Sequence, residues 1–278
     1  MSRGFFCVRL MESIVLTPIG VVRTGAKYRF EQPRQAAFSE ADGMIELLPA
    51  YGGDAVADLA GFDRIWVIFC FHLNLGRPWK PKVRPPVPAG GVCRGLFATR
   101  SPYRVNPIGL SCVELLKVER RRLYLRGHDM LDGTPVLDIK PYIPEADAFP
   151  DAAVGWREAA GDAPWEVTAT ALFKAQADFI RAESGLDLER FGRLQLGRAP
   201  LDAERKRLSC EPDGGSAIGC RTWRVIFRCD EAARTVTMLE VRSNYAPEEL
   251  LPGVEDPYRD KAGHREFLAV DWNRWNEA

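Results

Sequence analysis

The first half of the chain breaks into short β-branched and aromatic runs, none followed by a helical pattern long enough to carry a crossover. Ile14–Arg23, Met44–Leu48, Ile65–Phe71, Gly95–Ala98, Cys112–Val118, Arg122–Arg126 and Val136–Ile139 are bounded by Gly, Pro and Asp, residues that end strands and make turns. Asp54–Leu59 is the one short helix predicted among them. Parallel strands need crossovers of about a dozen residues or more, usually helical, so this pattern predicts a mainly β fold, an antiparallel barrel or sandwich. Ile65–Phe71 is apolar on both faces and is expected at the centre of the sheet.

The second half reads differently. Trp165, Ala169, Leu172, Ala175 and Phe179 recur at helical spacing behind Pro164 and predict a helix over Trp165–Glu183. Thr222–Arg228 and Thr235–Arg242 predict two strands joined by a turn, and Arg265–Ala278 predicts a final helix bearing Trp272 and Trp275 that packs back on the body. The expected division is a leader over 1–12 with Met11 as an alternative start, a barrel over 13–150, a linker over 143–164, and a smaller α+β domain over 165–278.

No apolar run reaches membrane-spanning length, so the chain is expected to be cytoplasmic and free of the membrane. Its seven cysteines are widely spaced and never form C-x-x-C, and it has three histidines. That excludes a zinc ribbon, a disulfide scaffold and a zincin motif, and no metal is expected. Cys70 and Cys112 lie in apolar runs and read as buried small hydrophobes.

Charge is where function enters. Lys/Arg and Asp/Glu balance at 38 each, yet the fifty residues from Arg64 to Val113 hold eight cations and no carboxylate. Arg64, Arg77, Lys80, Lys82, Arg84, Arg94, Arg100 and Arg104 are interleaved with Trp66, Phe69, Phe71, Trp79, Phe97 and Tyr103. Bases stack on such rings and phosphates pair with such cations, so an anionic nucleic-acid partner is expected, against the blander reading of a solvated basic face. Residues 76–91, with five prolines and three glycines, predict a stiff exposed loop presenting cations. Lys80, Lys82, Arg84 and Arg104 are the candidate RNA contacts.

Two segments combine reactive groups with turn residues. Phe97-Ala98-Thr99-Arg100-Ser101-Pro102-Tyr103-Arg104-Val105-Asn106-Pro107-Ile108-Gly109-Leu110-Ser111 offers forked guanidinium donors beside a forced turn. Asp129-Met130-Leu131-Asp132-Gly133-Thr134-Pro135-Val136-Leu137-Asp138-Ile139-Lys140-Pro141-Tyr142 delivers two carboxylates around a tight turn. By composition alone each is more often a structural loop than an active site.

Together, and with Pro18-Ile19-Gly20, Pro33-Arg34-Gln35, Trp66–His72 and Val83-Arg84-Pro85-Pro86, they resemble the tRNA threonylcarbamoyladenosine methyltransferases of the TrmO (YaeB, TsaA-like) family. The departures are Val105 in place of a proline, and Ala36-Ala37 after Gln35. The resemblance implies an S-adenosylmethionine-dependent methyltransferase on a small non-Rossmann β-barrel, a homodimer that methylates N6 of threonylcarbamoyladenosine at tRNA position 37. It implies cofactor contacts at Gln35, Ala36, Ala37, His72, Leu73, Arg100, Leu110, Asp129, Met130, Leu131 and Asp132. Arg100 suits the cofactor carboxylate because its fork matches two oxygens. The carbamoylated N6 calls for a base or strong acceptor. His72, His128, Tyr103 and Asp132 are candidates by chemistry. Two rival readings stand: an RNA-binding module without catalysis, and a methyltransferase of the same barrel acting on another substrate.

Overall fold

A computed structural model of the 278-residue chain describes residues 14–33, 35, 36, 39, 41–85, 92–157, 164–203, 206–211 and 214–275. The first half forms β1 (Gly20–Arg23), β2 (Asp42–Leu47), β3 (Arg64–Cys70), a two-stranded pair β4 (Lys82–Val83) and β5 (Arg94–Gly95), then β6 (Ile108–Glu119), β7 (Arg122–Arg126) and β8 (Pro135–Pro141). Six of them close into a barrel in the order β1-β2-β7-β6-β3-β8, with every neighbour antiparallel. Closure leaves those strands without an unpaired edge.

Alternation sets the interior. Val22, Ile45, Ile65, Val67, Val113, Leu123, Leu125 and Val136 point inward and are fully buried, and each large side chain among them contributes about 1.5–3 kcal/mol. Near the mouth, Gly109 faces the Phe69 ring, and a Cβ there would lie 2.3 Å from it. Only glycine lets that ring cap the core. Because successive barrel strands run antiparallel, the loops 24–41, 71–107 and 127–134 all emerge at one rim. The loop 48–63 and the Arg120-Arg121 turn lie at the other.

After the single-turn α1 (Pro144–Asp147), the second half builds β9 (Glu166–Ala169), α2 (Ala171–Ser184), α3 (Leu188–Leu196), β10 (Leu208–Cys210), β11 (Ser216–Cys220), β12 (Trp223–Asp230), β13 (Thr235–Ser243) and α4 (Lys261–Ala269). The sheet order is β10-β11-β12-β13-β9, with β9 parallel to β13. Phe173, Ile180, Leu188, Leu196, Val225 and Phe227 fill its separate core.

Several local expectations are corrected. The helix expected over Trp165–Glu183 opens as strand β9, and Thr170 then caps α2 by accepting from the Phe173 N–H at 3.0 Å. Val167 and Thr168 are β-branched and prefer the sheet. The buried face of α2 is Phe173, Gln176, Ala177 and Ile180. The final helix starts at Lys261 and ends at Ala269, leaving Trp272 and Trp275 beyond it, where Trp272 packs on Phe179 and Phe267. Asp54–Leu59 is two single 3-10 turns separated by Asp58, whose φ of 62° breaks helix continuity. Of Ile14–Arg23 only Gly20–Arg23 is strand, and of Gly95–Ala98 only Gly95. Lys82–Val83 does join a strand pair despite the prolines around it. Cys70 and Cys112 are part-buried, and desolvation raises both thiol pKa values.

Candidate active site

The β7–β8 loop closes the barrel mouth. Gly127 and Gly133 adopt φ of 70° and 76°, the left-handed region that an L side chain disfavours. Between them the Asp132 N–H donates to the Ala26 carbonyl at 2.8 Å and the Gly133 N–H to that of Val22 at 2.9 Å, which pins the turn to the exit of β1. Met130 sends its side chain into the barrel core, so only its backbone faces the rim. The Ser111 hydroxyl, from β6, donates to Asp129 Oδ1 at 2.6 Å, and Asp132 Oδ1 accepts from the Thr24 N–H at 3.1 Å. Burial pushes the Asp129 pKa up, opposed by Ser111, the Ala36 backbone and the positive charge of Arg100.

The segment 99–104 folds on its own polar atoms. Thr99 Oγ1 donates to the Leu96 carbonyl at 2.8 Å, Ser101 Oγ accepts from the Tyr103 N–H at 3.3 Å, and Arg104 Nη1 donates to the Thr99 carbonyl at 2.9 Å. Thr99, Ser101 and Arg104 therefore build the loop, while exposed Arg100 reaches Gln35 Oε1 at 3.4 Å. Gln35, Ala36, Arg100, Ser111 and Asp129 form one cluster.

A second cluster adjoins it. His72–Asn74 is a 3-10 turn following β3. Arg29, from the β1–β2 loop, donates to the Leu73 carbonyl at 2.5 Å and to Asn74 Oδ1 at 2.7 Å, and buried Asn74 donates to the Pro102 carbonyl at 3.1 Å. All three rim loops are thus cross-linked. His72 is part-buried; desolvation and Arg29 lower its pKa, against Asp132 and a hydrogen bond to the Cys70 backbone that raise it. It is a neutral imidazole at physiological pH, a state that can accept a proton. Leu73 and Leu110 expose apolar surface at the same rim.

His128, by contrast, is sealed. It is 0% exposed, its Nε2 lies 3.3 Å from the Asp42 carbonyl, and a Cβ on Gly43 would come within 2.4 Å of that atom. Tyr103 lies at the rim with Lys80 Nζ 4.9 Å above its ring. Ala37, Arg34 and residues 86–91 fall outside the described residues.

The interleaved cations and rings become pairs in space. Besides Lys80 and Tyr103, Arg104 lies over Phe97 and Arg94 over Trp156, at 5.8 and 5.5 Å, and Phe97 and Trp79 stay 82% and 50% exposed. Lys82 and Arg84 are exposed on and just beyond β4. Three rings leave the expected surface: Phe69 lies in the core, Phe71 packs against it at 5.1 Å, and Trp66 packs outside the barrel on Tyr142 and donates to Asp147 at 3.0 Å. Arg64 starts β3 at the far rim. Sequence reasoning missed Arg29, Gln32 and Asn74, whose partners are distant in the chain, and it gave no role to Ser111, the last residue of the first motif segment. Among the described residues, no group of three His, Cys, Asp or Glu is placed to hold a metal, and no helix is long and apolar enough to cross a membrane.

Known proteins share this arrangement. The family profile described as the tRNA-methyltransferase O N-terminal domain matches residues 21–148. The tRNA (adenine(37)-N6)-methyltransferase of Escherichia coli K12 is 37% identical over 239 residues, covering 84% of this chain and 100% of that one. A Pseudomonas aeruginosa PAO1 protein named putative S-adenosylmethionine-dependent methyltransferase RcsF is 45% identical over 219 residues, 75% of this chain and 88% of its own length. The crystal structure of TrmO from Pseudomonas aeruginosa superposes with a TM-score of 0.61 at 30% identity, covering 83% of this chain and 99% of that one. With its barrel, its rim motifs and a relative matched over its whole length, this chain belongs to the tRNA-methyltransferase O family.

Proposed function

We propose that the chain is an S-adenosylmethionine-dependent methyltransferase acting on N6 of adenosine 37 in tRNA, and that the adenosine it takes carries a threonylcarbamoyl group. The observation that carries this reading is the convergence of a guanidinium, two carboxylates, a neutral imidazole and apolar leucines on one barrel rim. The donor set suits the cofactor: Arg100 for its carboxylate, Asp129 and Asp132 for amine or hydroxyl donors, and Leu73 and Leu110 as apolar walls. When bound, the cofactor supplies an electrophilic methyl on a sulfonium.

Residues of the chain do the rest. Arg100 and the Asp129–Asp132 turn hold the donor still, and such alignment can contribute up to about 7–11 kcal/mol. His72, neutral and beside Asp132, takes the N6 proton as the nitrogen gains its methyl. Lys80, Lys82, Arg84 and Arg104, with exposed Phe97 and Trp79, receive phosphates and bases of the tRNA. Residues 13–150 form the catalytic unit, 165–278 the accessory one, and the assembly is a homodimer working in the cytoplasm.

The test uses purified enzyme, methyl-labelled S-adenosylmethionine and two tRNA preparations, one with threonylcarbamoyladenosine and one with plain adenosine at position 37. Label in the first alone, recovered in that nucleoside by mass spectrometry, is the expected outcome. Label in plain adenosine moves the substrate assignment to the rival methyltransferase reading. No label, with tRNA still bound, favours the binding module.

A further inference from the structure

We infer that Arg190, on α3 of the second domain, is a positioning residue for the Asp129–Asp132 loop, acting through Gln32. Gln32 is 5% exposed at the seam between barrel and second sheet. Its amide nitrogen donates to the Met130 carbonyl at 2.9 Å, and its amide oxygen accepts from Arg190 Nη2 at 2.5 Å. With a carbonyl at one end and a guanidinium at the other, the amide has one orientation, since a flip would oppose like to like at both ends.

The relay is embedded in a clamp. The segment 25–33, which carries Gln32, is gripped by the second domain at several points. Arg221 pairs with buried Glu31 at 2.5 and 2.9 Å, Gln195 Nε2 donates to the Phe30 carbonyl at 2.8 Å, and Phe30 meets Phe191 edge to face at 6.3 Å. Arg221 does this from a backbone with φ of 52°, a strained state for a side-chain-bearing residue that persists where surrounding contacts hold it. Glu31 also accepts from the Lys27 and Tyr28 N–H groups at 2.7 and 3.2 Å, fixing the segment's own bend. From that bend Arg29 grips the His72–Asn74 turn.

The consequence is specific. A seam needing only adhesion could be apolar, but here a buried polar chain ends on the backbone carbonyl between the two site carboxylates. The Met130 side chain anchors the loop from inside the barrel, and Gln32, held in turn by Arg190 of the second domain, anchors it from the seam. Docking of that domain and the geometry of the cofactor loop are therefore energetically coupled, and by linkage a ligand on the loop tightens the docking.

This inference rests on the proposed cofactor reading. The experiment titrates the full chain with S-adenosylmethionine by calorimetry, alongside Gln32→Leu, Arg190→Met, the double variant, Arg190→Lys, and, as a destabilised control, Trp272→Leu, whose ring packs on Phe179 and Phe267. Each relay variant should raise the dissociation constant about tenfold while tRNA affinity stays within about twofold. The double variant should be no worse than the poorer single one, because one chain of bonds is being cut. Arg190→Lys should recover most of the affinity, and Trp272→Leu should leave it unchanged. If Arg190→Met does not fold, Gln32→Leu decides alone. Wild-type affinity in the relay variants, or loss of cofactor and tRNA binding together in step with thermal stability, overturns the relay. No binding by the wild type overturns the cofactor reading itself, and the relay with it.

Discussion

The molecule contains two clusters built from the same parts, histidine, aspartate and hydroxyl, and they serve opposite ends. At the barrel rim, part-exposed His72 lies within reach of the charge of Asp132, and on the same rim Ser111 donates to Asp129. In the second domain, His264 is 0% exposed. Its Nδ1 lies 2.8 Å from Ser243 Oγ, its Nε2 lies 3.0 Å from Thr222 Oγ1, and its ring stacks 3.6 Å from Trp223. Asp260 is taken in turn by Thr222 at 2.6 Å and Tyr245 at 2.8 Å. Saturated and sealed, that cluster fastens α4 to β12 and β13. The rim cluster has the same chemistry at a part-exposed mouth. Residue type alone does not separate a site from a clasp; unfilled hydrogen-bonding capacity at an accessible mouth does.

The contrast breaks most sharply at the two histidines. His72→Ala should lower kcat about 100-fold or more, the usual range for a lost general base, with cofactor affinity within about threefold. An unchanged kcat would return the proton-accepting role to Asp132 or Tyr103. The wild-type rate should be level through neutrality and fall only as pH drops below the His72 pKa, which lies under the ordinary value of about 6.5. A fall beginning above that value contradicts the assignment.

Arg100→Ala comes next. It should weaken S-adenosylmethionine binding at least about tenfold, or roughly 1.4 kcal/mol, measured by calorimetry on a variant with native thermal stability.

The sealed cluster should respond in stability instead. His264→Gln should cost about 1–3 kcal/mol in denaturant unfolding and leave kcat within about twofold. Burial holds the His264 pKa down at about 4, under an unfolded value of about 6.5. The unfolded chain therefore takes up the proton first, and this contribution to stability, complete above about pH 6.5, declines as pH falls toward 4. The variant should lose that part of the acid sensitivity.

The smallest effect belongs to the rim cations. Lys80→Ala and Lys82→Ala should each weaken tRNA binding only a few-fold and reduce the salt slope by about one phosphate. An unchanged slope would place the tRNA elsewhere.

Much of the rim was legible in the sequence, and the reason is physical. Asp132-Gly133 and Asn106-Pro107 are turn formers with few alternative conformations, and short strands between such turns alternate direction, so both motif segments had to meet at one end of a closed sheet. Arg100 stood out, with Arg104, as a forked donor beside a forced turn, whereas the loop-building role of Thr99, Ser101 and Arg104 shows only in the fold. The tethers were not legible. Arg29 and Asn74 are 45 positions apart, and Gln32 and Arg190 are 158 apart; nothing local marks one member of such a pair as waiting for the other. Trp66 and Phe69 misled for a related reason: ring type predicts stacking equally well onto a base, a core or Tyr142, and strand alternation decides among them. The start of α2 was missed because helical spacing extended backward through Trp165 and Ala169, whereas Val167 and Thr168 had a neighbouring strand, β13, to join.

Amide hydrogen exchange of the full chain, with and without S-adenosylmethionine, tests most directly whether three loops of one rim form the cofactor site. Slowed exchange is predicted at 35–36, 72–74, 99–104 and 129–133, with a weaker effect along 25–33, and none in the far-rim loop 48–63. Protection confined to the far rim or the second sheet, or no protection at saturating cofactor, would contradict the account.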